Sequence, residues 1–322
     1  MTDKGFSPEK FIDRDAEQEL FTGLLKFQDD SRLLTICDAG GRGKSSLLKQ
    51  LRYKCGWHHD PPMLASLVPL DQLSDHTPYI LIKKIKEELF KFADEFEVDL
   101  HFSRFDELDE ARASSNFEPF RTHTPTSPIE GRVYAPSANI RGGVQSGTIG
   151  TVIYQHIEQA QSVSAGSTEN WNATKEDVAR RECVKAFFED LKQICDTRPV
   201  VIFLDSWDSS NPDLQEWIVS RIVRPLCFDT DNRPERFVLV LAGRELPDFK
   251  QRLGNETRFK QLVRSIESLG AWEESHVKAF LQAYGYEDLS KEAFTVQLVH
   301  SRLKLGWSLI AALQLAEDIQ AS

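Results

Sequence analysis

The stretch that most constrains this chain is Asp38-Ala39-Gly40-Gly41-Arg42-Gly43-Lys44-Ser45. It lies between a short apolar run, Leu33 to Cys37 (LLTIC), and a helical pattern from Lys44 to Tyr53 carrying Leu47, Leu48 and Leu51. A buried strand, a glycine-rich turn and an amphipathic helix in that order form the context of a phosphate-binding loop. Gly40, Gly41 and Gly43 let backbone N–H groups wrap an anion where side chains would block its approach. The helix N-terminus adds its partial positive charge beneath. Lys44 supplies an ammonium for the β- and γ-phosphates and Ser45 a hydroxyl for Mg²⁺, with Arg42 and Ser46 completing the set. One position departs from GxxxxGK[ST]: Asp38 stands where the first glycine belongs. An acidic residue there costs electrostatically unless it points away from the phosphates.

A second apolar run, Val200 to Leu204, ends in Asp205, and a third, Phe237 to Leu241, leads to Arg244. Continuous β-branched and apolar runs of this kind are buried in parallel sheets. VIFLD places a carboxylate at a strand's C-terminal edge, where it holds Mg²⁺ directly or through water. The residue after it is Ser206, which cannot act as a base, and Asp208 is the nearest carboxylate for orienting a water. A helix-capping role before Asn211-Pro212 is the competing reading of Asp208. Further strands are expected over Met63 to Leu70 and Val263 to Leu269. Helices are expected from Asp15, from Thr77-Pro78 through Phe96, around Val178 to Ile194, and from Asp213 to about Leu226. Three more follow over Glu273 to Tyr284, Ser290 to His300 and Trp307 to Ile319. Strand–helix alternation followed by a helical tail predicts an α/β fold. Its form is a three-layer P-loop NTPase (ASCE/AAA-like) parallel sheet with a small C-terminal helical subdomain. The expected divisions are an entry segment and helix at 1–30, a core at 31–250 and the helical subdomain at 251–322.

D-S-W-D after the apolar strand, together with GGRGKSSLL, resembles the NACHT branch of the STAND signal-transduction NTPases, which are related to AAA ATPases. FVLVLAGRE resembles the strand that carries a sensor arginine in those families, and implies that Arg244 faces the γ-phosphate. Phe11-Ile12-Asp13-Arg14-Asp15-Ala16-Glu17 resembles the F-x-G-R-x-x-E entry segment that lies against adenine, which brings Arg14 into the nucleotide site. Leu305-Gly306-Trp307-Ser308-Leu309 falls where STAND proteins have G-x-P-L, with Ser308 in place of the proline. The resemblance covers roughly residues 10–100 and 175–320. It implies an ATP/ADP-binding, Mg²⁺-dependent switch with slow hydrolysis that controls self-assembly or a protein partner. The winged-helix, effector and repeat-sensor domains of the family are not evident, so the chain reads as a minimal switch or a piece of a longer protein. Two other readings stand beside it: an active AAA-like remodelling or DNA-loading ATPase, and a non-catalytic scaffold with a degenerate loop. No NKxD-type guanine motif is present, which favours adenine.

Composition narrows the partners. With 322 residues the chain exceeds the size at which one core keeps growing. A net charge of −11 repels nucleic-acid phosphate and disfavours non-specific DNA or RNA binding. No apolar stretch reaches the ~18–20 residues of a membrane span, and the polar N-terminus has no signal-peptide h-region. Five cysteines without CxxC fit reduced thiols in a cytoplasmic protein. An insertion is expected at about 101–175. It holds four of the fourteen prolines between Pro119 and Pro136 and a turn-prone RGGVQSGTIG before a candidate strand, Thr151 to Ile157. Cys55, His58, His59 and Asp60 have no second cluster to complete four metal ligands, and read as a loop. Cys37 reads as a small core residue. Trp207, Trp217, Trp272 and Trp307 read as packing residues, any of which could also flank a nucleotide. Leu309, Ala312, Leu313 and Ala316 form a core stripe.

Overall fold

The computed structural model describes residues 7, 11, 14–27, 32–114, 174–228, 234–247, 249, 262–285, 289–305, 307 and 309–321. Among them five parallel strands form one sheet: β1 (Leu33–Cys37), β2 (Leu64–Pro69), β3 (Val200–Asp205), β4 (Phe237–Gly243) and β5 (Val263–Ile266). Their order across the sheet is β2-β3-β4-β1-β5. The glycine-rich loop thus leaves a central strand, and β4 separates it from the strand that ends in Asp205. Every residue of β3 and β4 is buried, the burial expected of a parallel sheet covered on both faces. This is a three-layer α/β P-loop fold.

The helices follow the apolar spacing of the sequence. They are α1 (Asp15–Leu24), α2 (Lys44–Trp57), α3 (Pro78–Glu95), α4 (Ser103–Ala113), α5 (Lys175–Thr197), α6 (Pro212–Ile218) and α7 (Arg224–Phe228). On α1, Phe21 is fully buried and meets Phe203 of β3 with ring centroids 5.7 Å apart. Burying one such side chain contributes about 1.5–3 kcal/mol. On α3 the series Ile82, Ile85, Leu89 and Phe92 is at most 1 % exposed. Thr77 does stand at the N-cap of α3, but its hydroxyl makes no capping bond and is buried without a partner. Pro78, with its preset φ and no N–H to satisfy, starts the helix instead.

The structure departs from the sequence expectation in five further places. The helix expected from Asp213 to Leu226 is interrupted by a π-turn at Val219–Val223 between α6 and α7. β5 ends at Ile266 rather than at Leu269, because Asp38 draws the Leu269 N–H out of line and Gly270 turns at φ 69°. The segment beginning at 101 leads into helix α4 at Ser103, with Phe105 and Leu108 of the helix buried and Phe102 buried just before it. Dense charge in SRFDELDEARA masks that stripe. Cys37 is half-exposed rather than core, while Cys55 is buried on α2, so it belongs to a helix and not to the loop holding His58, His59 and Asp60. No group of three or more metal-ligating side chains occurs among the described residues. The expected strand Thr151 to Ile157, RGGVQSGTIG, and Gly306 and Ser308 lie outside the described residues.

Two compact units partition the chain: Met1–Phe105 with Val184–Ser322, and Asp106–Cys183. In the second, Arg112 pairs with Asp109 and with Glu176, each at 2.9 Å. In the first, the Asp190 carboxylate on α5 accepts the Phe105 N–H at the start of α4 at 2.9 Å. The same unit holds the C-terminal helices α8 (Glu274–Ala283), α9 (Leu289–Lys304) and α10 (Leu309–Ala321). Their core includes Val277, Leu281, Val299 and Leu303, with Ala312 and Ala316 of the expected stripe. No described helix is long and apolar enough to cross a membrane.

Candidate functional site

The loop from β1 to α2 is shaped by its glycines. Gly41 and Gly43 sit at φ 77° and 87°, left-handed conformations that cost an L side chain but not glycine. Gly43 is the N-cap of α2, so the first amides of the helix open onto the loop. Lys44 folds back over it: its Nζ donates to the carbonyl oxygens of Asp38 and, at 2.8 Å, Ala39. Burial pushes the Lys44 ammonium below the usual lysine range, against the pull of the Asp38, Asp205 and Asp208 carboxylates, and Arg244 adds to the lowering. Arg42 and Ser46 are half-buried on the loop and the first turn.

Asp205 ends β3 nearly buried at 6 % exposure. Burial raises its carboxyl above the usual range, while the neighbouring Ser45 hydroxyl and the Ser206 N–H, which donates to Oδ1 at 2.8 Å, favour the carboxylate. The fold therefore joins the two residues expected to hold Mg²⁺. Asp71, on the 3₁₀ turn Leu70–Gln72 that follows β2, lies close enough to raise Asp205 further. No sequence pattern marks Asp71; only the register pairing Pro69 with Asp205 brings its turn to this edge.

Ser206 adopts a left-handed conformation, φ 58° and ψ 44°, which costs a non-glycine residue on the order of 1 kcal/mol. The turn it makes buries Trp207 at 2 % exposure and swings Asp208 toward β4. Asp208 Oδ1 accepts the Arg244 N–H at 2.7 Å, and Oδ2 lies 3.7 Å from Arg244 Nε. The helix cap next to it is Asn211, whose side chain accepts the Leu214 N–H at 2.7 Å. The competing reading of Asp208 as that cap is thereby replaced. Arg244 is further fixed by the Cys37 thiol, 3.1 Å from its carbonyl oxygen. Its exposed guanidinium lies across the loop, about van der Waals distance (3.5 Å) from where a Gly40 Cβ would be. Gly243 is needed for this arrangement. A Cβ there would fall 2.9 Å from Trp207 Cβ and 3.3 Å from Asp208 Oδ1. Gly243→Ala should destabilise the fold by about 1–3 kcal/mol, read as a lower denaturation midpoint at unchanged slope.

Asp38 is held through both of its carboxylate oxygens. Its Oδ2 accepts the Leu269 N–H at 2.7 Å and the Ser268 hydroxyl at 3.4 Å, and its Oδ1 accepts the Ala39 N–H at 2.6 Å. The residue that breaks the loop pattern ties the loop to the segment leading into the C-terminal helices. Arg14 reaches the same segment. It is 7 % exposed, donates to the Gly270 carbonyl at 3.4 Å and stands 5.8 Å from the centroid of the Trp272 ring. Trp272 in turn abuts Gly43, its Nε1 lying 3.7 Å from a Cβ placed there. Of the tryptophans, Trp207 and Trp272 are buried, Trp217 is half-buried and Trp307 is exposed.

No family model and no curated protein matches the sequence. Among solved structures, that of the Aeropyrum pernix ORC1 protein in complex with DNA is similar, with a TM-score of 0.42 at 10% sequence identity. The match covers 90% of this chain and 56% of that one, so the chain spans little more than half of its length. The fold assignment stands on the chain's own sheet order and loop: a parallel α/β P-loop architecture with Lys44, Ser45, Asp205 and Arg244 gathered at the C-terminal edge of its central strands.

Proposed function

We propose that this chain is an ATP-binding molecular switch of the STAND type with slow hydrolysis, acting through self-assembly or a protein partner. The observation that carries the reading is the joining of three elements at one loop. Lys44 crosses the loop carbonyls, Ser45 lies beside Asp205, and Asp38 is bonded to the segment that enters the C-terminal helices. The fit to a Mg²⁺-nucleotide rests on these residues. Gly41 and Gly43 shape the amide cradle, Lys44 supplies the cation, and Ser45 with Asp205 form an oxygen-donor pair of the hard kind that Mg²⁺ prefers. Mg²⁺, when bound, neutralises phosphate charge. The lysine ammonium is a compact point charge suited to phosphate oxygens.

Slow hydrolysis follows from the residue after Asp205. Ser206 cannot take a proton from water, and Asp208 is engaged with Arg244 through both carboxylate oxygens. Arg244 thereby links the strand that ends at the loop to the Asp205 turn, and Asp38 links the loop to the tail. A change in charge at the loop would bias the orientation of the C-terminal helices through these contacts. Freshly purified protein, denatured and resolved by ion-exchange chromatography, is expected to release stoichiometric ADP or ATP. Release of nothing, together with no thermal shift on adding Mg·ATP, would overturn the reading in favour of a scaffold. Fast turnover stimulated by DNA would overturn it in favour of a DNA-loading ATPase.

A further inference from the structure

Trp272 is 4 % exposed, and its indole N–H is buried with no acceptor among the described residues. Indole nitrogen only donates, and a buried donor without a partner is rare in native structures. The ring cannot turn away to find one. Phe280 meets it edge-on with centroids 5.8 Å apart, the Arg14 guanidinium stands 5.8 Å from its centroid, and His300 Nε2 lies 2.8 Å from the Trp272 carbonyl oxygen. Fixtures from the N-terminal segment, α8 and α9 therefore hold it in place. Its nitrogen faces Gly43, the N-cap of α2.

We propose that the Trp272 N–H is a positioning contact for the nucleotide, donating to an acceptor oxygen that the nucleotide brings against the Gly43 turn. This rests on the ATP-binding reading above. The acceptor is an oxygen of the phosphate chain or of the ribose, and both would satisfy the same donor. Trp272 opens the helical tail, so the contact gives that tail a direct means of registering the ligand, beside the Asp38 bond.

The test uses the full chain and the variant Trp272→Phe, which keeps an aromatic ring and removes the donor. Mg·ATP affinity by titration calorimetry is expected to fall about tenfold, the loss of one hydrogen bond to a ligand oxygen. The melting temperature without nucleotide is expected to hold or rise, since an unsatisfied buried donor has gone. Those two changes run in opposite directions, which a packing role cannot produce. Repeating the titration with Mg·tripolyphosphate separates the sources: an equal loss assigns a phosphate oxygen, and a loss confined to ATP assigns the ribose. Wild-type affinity in the variant would overturn the proposal, as would a lower melting temperature accompanying the weaker binding. Failure of the wild-type chain to bind Mg·ATP would instead overturn the nucleotide reading on which the proposal stands.

Discussion

Lys44→Ala is expected to weaken Mg·ATP binding by about 100-fold or more, as charge-assisted hydrogen bonds to phosphate are lost together with the only lysine on the loop. The same substitution should leave the melting temperature without nucleotide nearly unchanged. The Lys44 ammonium is half-buried, and burial already works against its charge. Its removal relieves that cost while freeing the Asp38 and Ala39 carbonyls, which lie at the mouth of the loop. Calorimetric titration and thermal melting of one preparation check both halves. Unchanged affinity would mean that the loop is not the nucleotide site. The pH dependence follows from the direction of the shift. Lys44 loses its proton at a lower pH than an ordinary lysine, so binding should weaken on the alkaline side sooner than an exposed lysine would dictate. Lys44→Arg should not rescue it, since a planar fork does not replace a compact ammonium within this turn.

Asp205→Asn should reduce the Mg²⁺-dependent part of nucleotide affinity by about 10–100-fold, the range seen when a metal site loses an orienting carboxylate. Its effect on the fold runs the other way. Burial raises the Asp205 carboxyl above its unfolded value, so the native state holds a proton more readily than the unfolded chain. Stability from this group is therefore full at acid pH and is lost as pH rises through the raised value. Above that value the fold carries a desolvated charge, and asparagine removes it while preserving shape. The melting temperature without Mg²⁺ is expected to hold or rise, with its fall between acid and neutral pH reduced. A Mg²⁺ titration at fixed ATP and melting curves across pH measure the two effects. A variant that melts lower at neutral pH would show that Asp205 stabilises the fold through Ser45 and Ser206.

Elements with strong local signals were legible from residues alone. LLTIC, VVIFLD and FVLVLAG became β1, β3 and β4, because continuous β-branched runs have nowhere to lie but a buried sheet. The glycine-rich turn was legible for the same reason: only glycine takes φ 77° and 87° without strain. Helix α4 was not, since its apolar stripe is thinned by charge, and neither was the π-turn inside the helix after Asn211, which changes register without changing composition.

Which groups meet was decided by the tertiary structure. The chain alone determined that Asp38 breaks the loop pattern, that Ser206 follows Asp205, and that an arginine follows the apolar run from Phe237. It could not determine that Asp38 would bond an amide 231 residues away, that Asp208 would close on Arg244, or that Trp272 would press its N–H against Gly43. Local pattern specifies a strand or a turn through the conformations of a few adjacent residues. Contacts between distant segments depend on the strand order β2-β3-β4-β1-β5 and on the packing of the tail, which no neighbouring residue encodes.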